Sequence, residues 1–236
     1  MAPAIYVHEK DKERVTRIIN SFDLDYSLEK DFSNKTDLEG FDYIPSINLY
    51  VAREKKFKGK NWFESQKLLQ EGGEKMLTPY EFIEYLKYMK VNNTEGYDEI
   101  TQVSNLLRAE WLDADFKVKK GILHINYNHF LDSNGILIPK NSEPLDKNTL
   151  MKDKTPGISL EDYLNNSHTF QGLPSVNVKN GNFYYWFPRD DDNSVARFDA
   201  YSGWAGLYCY RYPSDTYSDF GVRAAEAVKV GIARWQ

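Results

Sequence analysis

Ser194-Val-Ala-Arg-Phe-Asp-Ala-Tyr201 and Ala205-Gly-Leu-Tyr-Cys-Tyr-Arg211 are two alternating runs joined through Ser202-Gly-Trp204. In the second run the odd positions carry Ala205, Leu207 and Cys209. The even positions carry Gly206, Tyr208 and Tyr210, with Tyr212 following. A strand has a side-chain period of two, so Leu207 and Cys209 point inward and the tyrosines line the other face. Phe220 to Ala224 reads as a further strand, after a Tyr-, Ser-, Asp- and Thr-rich connection. Tyrosine with short polar neighbours is the chemistry of a binding surface, because it offers large contact area at low entropic cost. A Tyr-rich strand can equally serve only to cover a sheet.

Upstream the texture is helical. Asn61 opens a helix with Trp62, Phe63, Leu68 and Leu69 as its apolar stripe, ended by Gly72-Gly73. A second helix has Thr78 as its cap, Pro79 at the first helical position and Glu81 closing a Thr-x-x-Glu capping box. Its apolar face is Phe82, Leu86 and Met89. Ile5-Tyr-Val7 reads as a short strand and Asp11 to Ile19 as a helix; Tyr43 to Arg53 reads as one strand, with Pro45 at its edge or start. A third helix is expected over Asp98 to Leu107, ending near Arg108 to Asp113. Phe116 to Val118, Gly121 to Tyr127 and Ile136 to Pro139 read as strands, Glu143 to Pro156 as loop, and Ser159 to Leu164 as one helical turn. Val176 to Val178 and Asn182 to Phe187 form an expected hairpin across Lys179-Asn-Gly181, since Asn-Gly favours a type I′ turn. Helices early, short strands late and long loops throughout mean α+β.

The length of 236 residues supplies ample core, and with 15% aromatic residues that core is built on rings. A net charge of -5 argues against nucleic acid or an anionic membrane surface as partner. The basic run Arg53 to Lys60 reads as a solvated connection. A single cysteine excludes an internal disulfide. No apolar stretch has the character of a signal peptide or a membrane span, so no membrane insertion is expected.

Candidate chemistry is sparse. The four histidines, His8, His124, His129 and His168, show no metal-ligand spacing. Asp190-Asp-Asp192 lacks the Asp-x-Asp-x-Asp-Gly arrangement of a calcium loop and reads as a turn. Glu110 and Asp113 around Trp111 suggest a buried polar contact. Cys209 on an inward strand face reads as a small core residue. No metal, cofactor or catalytic residue is expected.

Two segments together resemble a family. Gly73-Glu-Lys-Met-Leu-Thr-Pro-Tyr-Glu-Phe82 resembles the Gly-Lys-Arg-Leu-Pro-Thr-Glu-Ala-Glu-Trp motif of the formylglycine-generating-enzyme superfamily. Leu207 to Tyr212, followed by Asp219 to Ala224, resembles that superfamily's Tyr-Cys-Tyr-Arg-Tyr and Leu-Gly-Phe-Arg endings. The resemblance spans about Tyr43 to Ala225. It implies a variant of the C-type lectin fold, with two main helices beside a twisted, mainly antiparallel sheet and long loops. The oxidase of that family holds copper with two cysteines five apart. Cys209 matches the second, but Trp204 stands at the first, and one thiolate is a poor copper site. The variable proteins of diversity-generating retroelements resemble this superfamily in fold, and the chain is similar to them. Their varied positions arise largely from asparagine codons and yield Tyr, Ser, Asp, Asn, Thr and Gly. The window from Asp199 to Asp219 holds Tyr201, Ser202, Tyr208, Tyr210, Tyr212, Ser214, Asp215, Thr216, Tyr217 and Ser218, and no Lys, Glu or Met. The segment Phe187 to Phe198 also resembles the approach to such a variable region.

The resulting expectation is an N-terminal extension, 1–42, packed on a lectin-like domain, 43–236, with a variable region at about 190–222. The ligand, a protein or surface receptor, would meet Asp199, Tyr201, Ser202, Trp204, Tyr208, Tyr210, Tyr212, Ser214, Asp215 and Tyr217. Gly203, Gly206 and Gly221 would permit the loop geometry. Arg197, Arg211 and Arg223 would hold the scaffold by ion pairs. The alternatives are a copper-dependent oxidase using Cys209 and a passive part of a virion or surface assembly.

Overall fold

The computed structural model describes residues 38–102, 107–201 and 204–228. The expected strand at Ile5–Val7 and helix at Asp11–Ile19 lie outside the described residues. The described chain is mixed α and β and dominated by one open, eleven-stranded sheet. Its strands are β1 (Phe41–Ile44), β2 (Leu49–Lys56), β3 (Lys75–Met76), β4 (Arg108–Lys119), β5 (Ile122–Leu131), β6 (Leu137–Pro144), β7 (Lys154–Ile158), β8 (Phe183–Trp186), β9 (Ser194–Tyr201), β10 (Trp204–Arg211) and β11 (Phe220–Ala227). The main path runs β1-β2-β11-β4-β9-β10-β8-β7, with β3 on β11 and the β5–β6 hairpin on β4. The pairs β11–β4 and β10–β8 are parallel. The others are antiparallel, as the mainly antiparallel expectation required.

The helices are α1 (Trp62–Glu71), α2 (Pro79–Asn92), α3 (Thr94–Thr101) and α4 (Leu160–Asn165), and α1, α2 and α4 follow local signals closely. In α1 the Asn61 side chain accepts from Glu64 N at 2.9 Å, and the Glu64 carboxylate accepts from Asn61 N at 3.2 Å. In α2 the same reciprocal box joins Thr78 and Glu81, with the backbone donors at 3.2 and 2.9 Å from their acceptors. Each box satisfies two N–H groups that a helix start otherwise leaves unpaired. The chain leaves α1 through Gly72 and Gly73, whose φ of +74° suits glycine.

Two cores lie on opposite faces of the sheet. On the inner face α2 lays down Phe82, Ile83, Tyr85, Leu86 and Met89 against Phe198, Ala200, Leu207 and Cys209. Rings run through this core: Phe82 to Phe198 at 5.0 Å, Phe198 to Phe183 at 5.3 Å, Phe183 to Tyr163 at 5.9 Å. Burying each such side chain contributes about 1.5–3 kcal/mol. On the outer face Trp62 and Leu69 of α1 cover Trp111, Phe220 and Val222. This second core reaches only part of the outer face.

Several local expectations are corrected. Tyr43 to Arg53 is two strands, because the chain turns between Ile44 and Leu49 with Asn48 at φ 54°. The third helix begins at Thr94 and ends at Thr101. Arg108 to Asp113 belongs to the twelve-residue strand β4, held between β9 and β11. The loop expected over Glu143 to Pro156 is partly strand, in β6 and β7. The hairpin across Lys179-Asn-Gly181 does not form: β8 pairs with β7 and β10 instead. There the Asn-Gly pair lies along the end of β7, where Ser159 N donates to Lys179 O at 2.7 Å. A Cβ on Gly181 would stand 2.6 Å from Ser159 Cα, so glycine serves close approach there and not a turn.

Candidate functional site

The part of the outer face that α1 leaves open is paved with rings from β8 and β10. Parallel pairing sets Gly206 beside Tyr184 and Tyr208 beside Trp186. Trp186 and Tyr208 stack at 3.9 Å with planes 16° apart, and Tyr184 and Trp204 are parallel within 2° at 6.0 Å. Tyr201 meets Trp204 edge-on at 6.1 Å, and Tyr210 lies 6.0 Å from Tyr208. Gly206 makes the paving possible: a Cβ there would be 2.8 Å from Tyr184 O and 3.1 Å from Trp186 Cζ3. Gly206 and Gly221 both sit inside strands, so the loop role expected for them is corrected to close packing. Gly203 lies outside the described residues.

A bulge sets the chemistry of this face. Tyr208 pairs with Arg197, but Arg211 pairs with Val195, so β10 carries one extra residue over that interval. Strict alternation would send Arg211 to the inner face with Cys209. The extra residue returns it to the outer face instead. There its guanidinium lies 4.4 Å from the Tyr208 ring centre and 5.5 Å from that of Tyr210. Arg189 stands 5.2 Å from Tyr210 and 4.1 Å from Phe187, and pairs with Asp153 at 2.8 Å.

The residues expected to meet ligand divide sharply. Tyr201, Tyr212 and Tyr217 are exposed at 43%, 54% and 61%. Ser214 is exposed, while Trp204, Tyr210 and Asp215 are half-buried. Ser202 lies outside the described residues. Tyr208 is 4% exposed and acts as the floor of the array; burial, then the Asp199 charge, push its hydroxyl pKa up. Asp199 is a correction to the expected contact surface. It is buried, and it accepts from Arg197 Nε at 2.6 Å and Nη2 at 2.7 Å. Its carboxylate faces the outer side but is consumed in neutralising Arg197, whose guanidinium covers the Phe220 ring at 3.8 Å. Tyr184 and Trp186 escaped the sequence reading. The alternation Phe183-Tyr-Tyr-Trp186 signals two ring-bearing faces, but nothing local says that β8 neighbours β10.

Other buried charged groups pair with one another. Arg223 donates to both Glu110 oxygens, at 3.0 and 2.8 Å, and Arg108 joins the same carboxylate at 2.9 Å. Burial alone would raise the Glu110 pKa; Arg223 and Arg108 outweigh it and hold it at about 2. Beneath α1, His129 Nδ1 lies 2.5 Å from Asp113 Oδ1 and Nε2 lies 3.3 Å from Asp115 Oδ1. Gln66 donates to Asp113 at 2.8 Å. Burial would lower the His129 pKa, but the two carboxylates outweigh it and push it up to about 9. The Asp113 and Glu110 contacts anticipated around Trp111 are thus two separate networks. Asp191 accepts from Asn193 N and Ser194 Oγ, both at 3.0 Å, within its own turn. Cys209 is fully buried on the inner face, and burial pushes its thiol pKa up.

Comparison with known protein families, with characterised proteins and with solved structures found no match for this chain. Among the described residues no helix is long and apolar enough to cross a membrane.

Proposed function

We propose that this chain is a non-catalytic binding protein of C-type lectin fold, similar to the variable proteins of diversity-generating retroelements. It recognises a protein or surface receptor through the outer face of β8, β9 and β10. One observation carries the reading: Tyr184, Trp186, Trp204, Tyr208 and Tyr210 form a continuous ring array on a stretch of sheet face that the outer core leaves open. Rigid rings of this kind supply contact area without losing much side-chain freedom, and they dominate binding energy at interfaces. The exposed Tyr201 meets Trp204 at the edge of the array, and Tyr212, Ser214, Asp215 and Tyr217 follow in the connection from β10 to β11, where Tyr217 packs on Phe220. Cys209 and Trp204 stand on opposite faces, and the thiol is sealed, which supports a binding role over copper chemistry.

The experiment is deep sequencing of the coding locus across a population, together with a search for a near-copy of its 3′ end. The expected result is substitution concentrated at adenine-bearing codons of Tyr201, Ser202, Tyr210, Tyr212, Ser214, Asp215 and Tyr217. Arg197, Asp199 and Trp204 should stay constant. Variation spread evenly over the chain, with no template copy, would sink the retroelement reading.

A further inference from the structure

Guanidinium groups flank the ring array. Three guanidiniums, Arg189, Arg197 and Arg211, gather around Tyr208 and Tyr210, against two carboxylates, Asp153 and Asp199. The carboxylate of Asp199 already receives two short hydrogen bonds from Arg197. Arg211 Nη2 stands 3.6 Å from it, beyond good hydrogen-bond length, and Arg211 Nε is buried without an acceptor. The Arg211 side chain keeps 29% of its surface exposed beside the rings. The neighbouring acids take their hydrogen bonds elsewhere: Asp191 bonds within its own turn and Asp192 accepts from Val118 N on β4. Among the described residues neither of them, nor Asp215, forms an ion pair with Arg211 or Arg189.

We propose that the exposed edge of Arg211 receives a carboxylate of the partner, so that the face selects an acidic protein segment whose apolar or aromatic neighbour lies on Trp204 and Tyr210. The inference rests on reading this face as a binding surface and adds the charge of what binds there. A planar guanidinium already held over a tyrosine ring is preorganised for a carboxylate, and the water it sheds on binding strengthens the pair. A polyanion is disfavoured, because a chain of net charge -5 repels it, whereas a single carboxylate needs only the one guanidinium edge.

The test is a phage-displayed random peptide library selected on the full chain, followed by titration of synthesised winners. The expected winners carry Asp or Glu next to an aromatic or aliphatic residue and bind more weakly as salt rises. Arg211→Gln should weaken them roughly ten-fold, the loss of one charge-assisted hydrogen bond. Arg211→Lys, which keeps the charge and loses the planar stack, should fall between. Asp199 retains its two bonds from Arg197 in either variant, so the fold survives, and circular dichroism checks it. Winners without acids, or winners indifferent to Arg211→Gln but sensitive to Trp204→Ala, overturn the carboxylate while leaving the binding face intact. No winners, or winners indifferent to Trp204→Ala and Tyr210→Ala as well, overturn both. A single-stranded oligonucleotide that displaces the peptides also overturns the proposal.

Discussion

Trp186 and Tyr208 stack face to face at 3.9 Å across the parallel pairing of β8 and β10, with Arg211 closing over Tyr208 at 4.4 Å. Tyr208 is therefore a packed residue within the ring array. Tyr208→Ala should cost about 3 kcal/mol, as for other buried aromatic deletions. Tyr217→Ala, at a 61% exposed position, should stay within about 0.5 kcal/mol of wild type. Urea denaturation of the two variants checks the contrast, and equal losses would contradict it.

Asp199 makes a second prediction. Asp199→Asn leaves Arg197, whose side chain is 3% exposed, as an uncompensated buried cation. Breaking one side of such a pair costs about 3–5 kcal/mol, whereas replacing both partners by apolar residues is far milder. A double-mutant cycle with Arg197→Met should recover most of the loss. If Asp199→Asn is as stable as wild type, the carboxylate is not structural.

The pH profile should bend at both ends. His129 is raised to about 9 in the fold from an ordinary value of 6.5. Its contribution is complete below 6.5 and disappears as pH climbs through 9, a decline of roughly 3 kcal/mol. Glu110 is depressed to about 2, so its contribution is present above its ordinary 4.5 and disappears as pH falls through 2. Denaturation midpoints measured across pH should slope down between 6.5 and 9 in wild type. They should be flatter over that window in His129→Gln; an identical slope would remove His129 as the cause.

Cys209 should be chemically silent. A fully buried thiol with a raised pKa offers little thiolate to attack a disulfide reagent. Reaction with a chromogenic disulfide should be slow in the native protein and complete at one equivalent in denaturant. Rapid native modification would show that the inner face opens locally.

Helix starts were the most legible part of this chain. The boxes Asn61–Glu64 and Thr78–Glu81 involve residues three apart, and such local hydrogen bonds form wherever the residues occur. The strands β9, β10 and β11 were legible for the same reason, from alternation within a few residues. Arg108 to Asp113 was not. Apolar and charged residues mix there without a clean period, and the segment is strand because β9 and β11 flank it. The hairpin expected at Asn180-Gly181 failed through a stronger competitor, since β7 and β10 both pair with β8 and exclude the 176–178 segment from its edges.

The amino-acid sequence by itself determined the α+β character, the two capped helices, the inward Leu207 and Cys209, and the ion-pairing roles of Arg197 and Arg223. All of these follow from interactions short in sequence or from charge that must be neutralised when buried. Only the tertiary structure decided which rings meet. The parallel register of β8 and β10 brought Tyr184 and Trp186 against Trp204 and Tyr208, and the β10 bulge turned Arg211 onto the same face. Strand neighbours and bulges depend on how distant segments share backbone hydrogen bonds, and no local pattern encodes that choice.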